Sequence, residues 1–280
     1  MAKQFTVTDF FKRFPDDDSC LEHLMKIRYG FELDCPKCEK HGTFSRIKKV
    51  KAYQCAWCGH HIHPMAGTPF ERSRTPLQKW FYAMYLFTTS RHGVPAKELQ
   101  RQLGVTYKTA WRMGREIRKY MASTDGDDGL SGHVEIDETY IGGKSKGQGK
   151  YRDKKTAVLG MVERGGSVMT KVVENARITT VMPIIKENVA DGTRVSTDQA
   201  HTYQRMNRIG YKHEWVNHAS KEWVRGETHT NTIEGYWGRL KTSIRGTHIH
   251  VSKKHMAKYL GEFEYRFNMR NNPEAMFSRL

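Results

Sequence analysis

Two Cys-x-x-Cys pairs, Cys35-Pro-Lys-Cys38 and Cys55-Ala-Trp-Cys58, stand with sixteen residues, 39–54, between them. Each pair can turn tightly enough for two thiolates to reach one ion, and two pairs complete a tetrahedron. The spacing predicts two hairpin knuckles over residues 31–70 that clamp one structural Zn²⁺. With Cys35, Cys38, Cys55 and Cys58 all bound, no position stays open for chemistry. Redox-active thiols are the other reading, and a second pair at ribbon spacing argues against it. His60, His61 and His63 are competing donors, but four thiolates suffice; Cys20 stands alone and reads as a buried thiol.

Charge narrows the partner. The chain of 280 residues carries a formal net charge of +17 and a pI near 9.7, which favours a polyanion such as double-stranded DNA. Lys37, Lys40, Arg46, Lys48, Lys49 and Lys51 decorate the ribbon, either as phosphate contacts or as a solvated face. A transmembrane helix needs a run of about 18 apolar residues, and the chain has none. The start, MAKQFTVTDFFKRF, lacks the apolar core of a signal peptide. A cytoplasmic, nucleoid-associated protein with reduced thiols is expected, without a membrane partner.

Along the chain, residues 1–30 read as a helical lead-in and 76–122 as helical by period. Gly, Asp and Ser crowd residues 123–132, which are expected to link this part to a second unit over 133–280. There HVEIDETYI, TAVLGMVER, SVMTKVVEN, TRVSTD and YKHEWVNH read as strands. TTVMPIIKENVADG and AHTYQRMNRIG read as helices, and two more close the chain, around 230–245 and 253–270. The order predicts an α/β class with a mixed sheet flanked by helices.

Within VPAKELQRQLGVTYKTAWRMGREIRKY, a break at Gly104-Val105 separates two helices, with Thr106 a fitting N-cap. This is a helix-turn-helix pattern, in which Tyr107, Lys108, Thr109 and Arg112 would face a DNA groove. An ordinary helical hairpin is the alternative. The basic, glycine-rich stretch GGKSKGQGKYR offers Lys144, Lys146, Lys150 and Arg152 to a DNA backbone, or forms a surface hairpin.

Three acids occupy ordered settings. Asp137 shares a strand face with Glu135 and Thr139; Asp198 ends a strand just before a helix; Glu234 lies on a helix. On that helix Asn231, Glu234, Gly238 and Lys241 share one face, and Ile233, Tyr236, Trp237, Leu240 and Ile244 form an apolar stripe. A carboxylate cluster repels the phosphates that the rest of the chain attracts, unless divalent ions intervene. Two Mg²⁺ or Mn²⁺ ions would suit in-line phosphodiester chemistry. Glu135 and Glu138, beside this set, read either as groups that support it or as plain surface acids, with the surface reading preferred.

EIDETYIGG, VSTDQAHTY and HTNTIEGYWGRLK, in this order behind CPKC…CAWC, resemble the signatures of DDE-class insertion-sequence transposases of the branch with a zinc ribbon and an ISXO-like transposase domain. The likeness covers nearly the whole chain. It implies a ribonuclease-H-like catalytic fold and DNA cutting and joining with Mg²⁺. The implied triad is Asp137, Asp198 and Glu234, with Lys241 as the basic residue seven positions on. Asn231 competes with Glu234 for the third position, or else orients it. Because two DNA ends must meet, the resemblance implies a homo-oligomer on DNA. A DNA-binding regulator without catalysis, or a nuclease that cuts without joining, are the alternatives.

Overall fold

The computed structural model describes residues 5–124, 129–142, 155–199, 201–203 and 206–280. The lead-in is two helices, α1 (Val7–Arg13) and α2 (Asp17–Arg28), each opened by a reciprocal capping box, Thr6 with Asp9 and Asp16 with Ser19. A four-stranded antiparallel sheet follows: β1 (Glu32–Asp34), β2 (His41–Ile47), β3 (Ala52–Cys55) and β4 (His61–Ile62). Then come α3 (Leu77–Thr89), α4 (Ala96–Leu103) and α5 (Tyr107–Thr124). Gly104, left-handed at φ 59°, ends α4, and the Thr106 hydroxyl accepts the Thr109 N–H at 3.2 Å to open α5. Phe10, Phe14, Phe44, Trp80, Phe81 and Phe87 are buried in one hydrophobic cluster with Tyr265 and Phe277 from the C-terminal end.

The second sheet runs in the order β7-β6-β5-β8-β9, from β5 (His133–Ile141), β6 (Thr156–Glu163), β7 (Val168–Val173), β8 (Arg194–Asp198) and β9 (Lys212–Val216). β5, β6 and β7 are mutually antiparallel; β8 and β9 join parallel to β5. Helix α6 (Ile178–Asn188) packs on one face with Val134, Ile136, Leu159 and Met161. Helices α7 (Asn231–Ser243) and α8 (Lys253–Asn268) cover the other with Val158 and Val162. Every residue of β6 up to Val162 is buried, as a strand covered on both faces must be. Glu264 and Asn268 of α8 reach the edge of β7: the N–H groups of Thr170 and Val168 donate to them at 2.7 Å each. This occupies a sheet edge that would otherwise template pairing.

The molecule is thus a mixed α/β protein with a cysteine-bearing ribbon, as its alternating patterns predict. One element differs. Residues 200–210, expected as a helix, contain two 3₁₀ turns, His201–Tyr203 and Met206–Ile209. Tyr203 and Met206 are both fully buried and three residues apart, which suits a threefold rather than a 3.6-fold period.

Between the ribbon half and the sheet, α5 lies on α8. A Cβ at Gly261 would fall 2.7 Å from the Ala122 Cα, so the two backbones touch. Arg118 of α5 donates to Glu262 of α8 at 2.5 Å and to the Val94 carbonyl at 2.9 Å; Arg266 binds the other Glu262 oxygen.

Candidate functional site

The four cysteine sulfurs lie within 4.8 Å of one another, the only His/Cys/Asp/Glu group of three or more so clustered among the described residues. The two knuckles repeat one geometry. The Glu39 and Gly59 N–H groups donate to the carbonyls of Cys35 and Cys55 at 2.8 and 3.0 Å, and both residues are left-handed, at φ 60° and 69°. Burial opposes ionisation of Cys35, yet the N–H groups of Cys38 and Lys37 prevail and bring its thiol down to about 7. Four thiols turned inward by two tight loops, one already inclined to thiolate, fit a structural Zn²⁺. His60, His61 and His63 take no part in the cluster.

On the second sheet, β5 and β8 pair His133 with Arg194, Val134 with Val195 and Glu135 with Ser196. Continuing that register by two residues sets Asp137 beside Asp198. Asp137 points to the α7 face, where the Trp237 indole N–H donates to its Oδ2 at 2.9 Å. Burial and then Asp198 raise the Asp137 carboxyl to about 6, with Glu234 adding to the rise and the Glu138 N–H and Trp237 opposing it. Asp137 therefore stands among neighbouring acids, with Asp198 and, from α7, Glu234 close enough for their charges to bear on it. Neighbouring carboxylates are the hard oxygen donors that a divalent cation such as Mg²⁺ takes.

Helix α7 runs alongside β5. Its apolar stripe, Ile233, Tyr236, Trp237, Leu240 and Ile244, is buried, and its other face carries exposed Asn231, Glu234 and Gly238. Glu234 accepts a hydrogen bond from the Thr230 hydroxyl at 2.7 Å and lies 3.7 Å from His218 Nε2. The Asn231 N–H donates to His229 Nδ1 at 3.4 Å, and its residue stays exposed at the helix start. Lys241 is half-buried; burial lowers its ammonium, Asp137 opposes that, and Arg245 and Lys155 reinforce it.

Glu135, expected at the surface, is fully buried. Its carboxylate accepts the N–H groups of Thr232 and Ile233 at 2.8 and 3.0 Å and the Thr232 hydroxyl at 2.9 Å. It thereby caps α7, whose preceding residue, Thr230, offers no side-chain cap. Arg164 pairs with Glu135 at 2.7 Å and also donates to the carbonyls of Glu227 and His229. Glu135 thus sets the height of α7 against β5, and with it Glu234 and Lys241. Glu138, also expected at the surface, is half-buried near Tyr203; burial, with Asp137 and Asp198, pushes it up to about 7.

Gly160 completes the site from β6, where it pairs with Asp137. A Cβ there would sit 2.5 Å from Trp237 Cη2, so only glycine leaves room for the indole that holds Asp137. The sequence carries two usable signals for these residues. A strand covered on both faces cannot keep Glu135 dry without a partner, and a buried indole needs an acceptor.

In the helix-turn-helix region Tyr107 and Lys108 are exposed, and the Thr109 hydroxyl is 3.0 Å from that of Thr106. Arg112 folds back, donating to Ser73 at 3.1 Å and lying over Trp80. Lys144, Lys146, Lys150 and Arg152 lie outside the described residues. Among the described residues, no helix is long and apolar enough to cross a membrane.

Comparison with known proteins matches both halves of the chain. The family model of the ISXO2-like transposase domain matches residues 129–268, and that of the transposase zinc-ribbon domain matches residues 15–61. A protein of transposable element ISH50 from Halobacterium salinarum is 26% identical over 94% of each chain. A transposase-like protein from Haemophilus influenzae is 32% identical over 36% of this chain and 80% of its own.

Proposed function

The chain belongs to the family with the ISXO2-like transposase domain, and we propose that it binds the ends of an insertion sequence, cuts DNA strands and joins them to a target. The observation that carries this reading is Asp137 on β5, bound by Trp237 of α7 and raised by the charges of Asp198 and Glu234, beside a helix that also carries Lys241. The sheet order, three antiparallel strands extended by two parallel ones between helices, supports a ribonuclease-H-like catalytic unit over 133–280. Residues 31–70 would form the ribbon and 76–122 the helical DNA-binding segment, joined to it through 123–132.

Asp137 and Asp198 would hold the catalytic Mg²⁺ or Mn²⁺, with Glu234 as the third ligand. Bound divalent ions supply charge stabilisation at the entering and leaving phosphate oxygens. Trp237 fixes the Oδ2 oxygen of Asp137 and so orients the carboxylate. Glu135 and Arg164 hold α7 in place. Lys241, two turns beyond Glu234 and about 10.5 Å along the axis, is placed to hold a DNA phosphate without pairing with Glu234. Glu234 is favoured over Asn231 because a charged carboxylate is a stronger Mg²⁺ ligand than a neutral amide. Joining two ends calls for a homo-oligomer on DNA.

Nicking of supercoiled plasmid with Mn²⁺ or Mg²⁺ tests this reading, because it needs no knowledge of the element's ends. The intact protein is expected to nick, Asp137→Asn and Glu234→Gln to lose more than about a hundredfold, and Asn231→Ala to retain activity. The reverse pattern for Glu234 and Asn231 reassigns the third ligand. Nicking that survives Asp137→Asn removes the metal-site reading altogether.

A further inference from the structure

Helix α7 does not end in an ordinary cap. It passes into a π-turn, Ile244–His248, and then into Ile249 at φ 63°, ψ −53°. The His250 N–H donates back to the His248 carbonyl at 2.6 Å, so Ile249 is the apex of a three-residue γ-turn of the rare positive-φ kind. A β-branched residue is among the least suited to that conformation. Among the described residues it is nevertheless the most exposed large hydrophobic one, at 83%. The turn is pinned at both ends: the His248 ring packs edge-on against Tyr259 at 4.9 Å, and Val251 is buried. The fold therefore forces an isoleucine outward, where strain and exposure both count against it. Such strain persists where surrounding structure imposes it, and it gathers at functional sites.

The surroundings indicate what the apex meets. Ile249 lines a cleft of about 460 Å³ with Tyr140, Lys241, Arg245 and His250, at the end of β5 beyond Asp137. From residue 235 to 261 the chain has no Asp or Glu, but it has Arg239, Lys241, Arg245, Lys253, Lys254 and Lys258. A second copy docked symmetrically would set this basic patch against itself. A polyanion matches it.

We propose that Ile249 is a wedge that enters the base stack of duplex DNA beside the cutting site, while Arg245, His250 and Lys241 hold the flanking phosphates. Apolar side chains inserted between base steps unstack and kink a duplex, and DNA that is already loosened accepts them at lower cost. The proposal rests on the transposase reading for the identity of the polyanion, and it adds a distortion of the DNA next to the metal site.

The test compares binding, without divalent metal, to a short duplex and to the same duplex with one internal mismatch, carrying 2-aminopurine beside the mismatch. The wild-type protein is expected to favour the mismatched duplex roughly tenfold and to brighten the probe. Ile249→Gly removes the wedge and relieves the positive φ, so its fold is retained. It should bind the matched duplex within about twofold of wild type and lose the preference and the brightening. Ile249→Leu should keep both. The wedge is overturned if wild type shows no preference, if Ile249→Gly keeps it, or if Ile249→Gly changes only the oligomeric mass, which would make the tip a protein contact. Plasmid nicking, run in parallel, separates the two ideas. Asp137-dependent nicking with no mismatch preference sinks the wedge alone; a mismatch preference lost in Ile249→Gly, with nicking that ignores Asp137, upholds the wedge and sinks the strand-cutting reading.

Discussion

Gly160→Ala changes a residue that touches no solvent-borne ligand, yet the structure places its consequence at Asp137. A Cβ at position 160 would lie 2.5 Å from Trp237 Cη2, closer still to Cζ2, and 3.0 Å from Ile233 Cδ1. Carbon atoms rest about 3.5–4.0 Å apart, so the indole must retreat by about 1 Å or more. It has little room, because Trp237 is only 3% exposed and is packed against Tyr236. A shift of that size breaks the 2.9 Å bond from its Nε1 to Asp137. Overpacking costs about 1–3 kcal/mol, and a lost hydrogen bond to a carboxylate about 1.5–3 kcal/mol. Together these approach about 3–5 kcal/mol, a large share of the 5–15 kcal/mol or so that keeps a domain folded.

Urea unfolding of four proteins resolves it: wild type, Gly160→Ala, Trp237→Phe and the double variant. Phenylalanine lacks the outer ring that the new methyl would strike. Gly160→Ala should therefore cost at least about 1 kcal/mol less in the Trp237→Phe background than alone. In plasmid nicking, either single variant should lower the rate, and the double variant should be no worse than Trp237→Phe. Equal costs in both backgrounds, or a Gly160→Ala cost below about 0.5 kcal/mol, refute the reasoning.

Two further outcomes follow from the metal-type and charge clusters. One Zn²⁺ per chain should be released on thiol modification, and Cys35→Ser should lower the thermal midpoint of the whole N-terminal half, because Cys35 and Cys55 are buried in the same cluster as Phe44, Trp80 and Phe81. For Glu262, burial would raise the carboxyl, but Arg118, Arg266 and His248 together hold it down at about 2, below its ordinary 4.5. A depressed carboxyl stabilises the fold above its unfolded value and loses that contribution as pH falls through the folded one. Urea midpoints should thus decline between about pH 4.5 and pH 2 by the equivalent of about 3 kcal/mol. Glu262→Gln should flatten that decline and lower stability at pH 7 by about 3–5 kcal/mol, since two buried guanidinium groups lose their partner.

The parts of this molecule that were legible in the sequence are those whose geometry is set within a short span. The two cysteine pairs close through a hydrogen bond inside each knuckle, so spacing alone announced the cluster. Alternation announced the five strands, and the 3.6-residue period separated the buried and presented faces of α7. The same local rules misplaced Glu135 and Glu138. In HVEIDETYI the polar residues alternate with Val134 and Ile136, and a two-residue period cannot tell a solvated face from one that a later helix covers. What decides the matter for Glu135 lies 97 and 98 residues away, in the N–H groups of Thr232 and Ile233. Trp237 is likewise 100 residues from Asp137. Distance along the chain also sorts the acids by role. Glu135 meets an arginine, a hydroxyl and two helix N–H groups in a fully buried pocket, so its bonding capacity is consumed in holding α7. Glu234, on the helix so held, keeps a half-exposed carboxylate that shares its field with Asp137. Both are glutamates in polar-looking sequence; one is committed to holding the helix on which the other is presented.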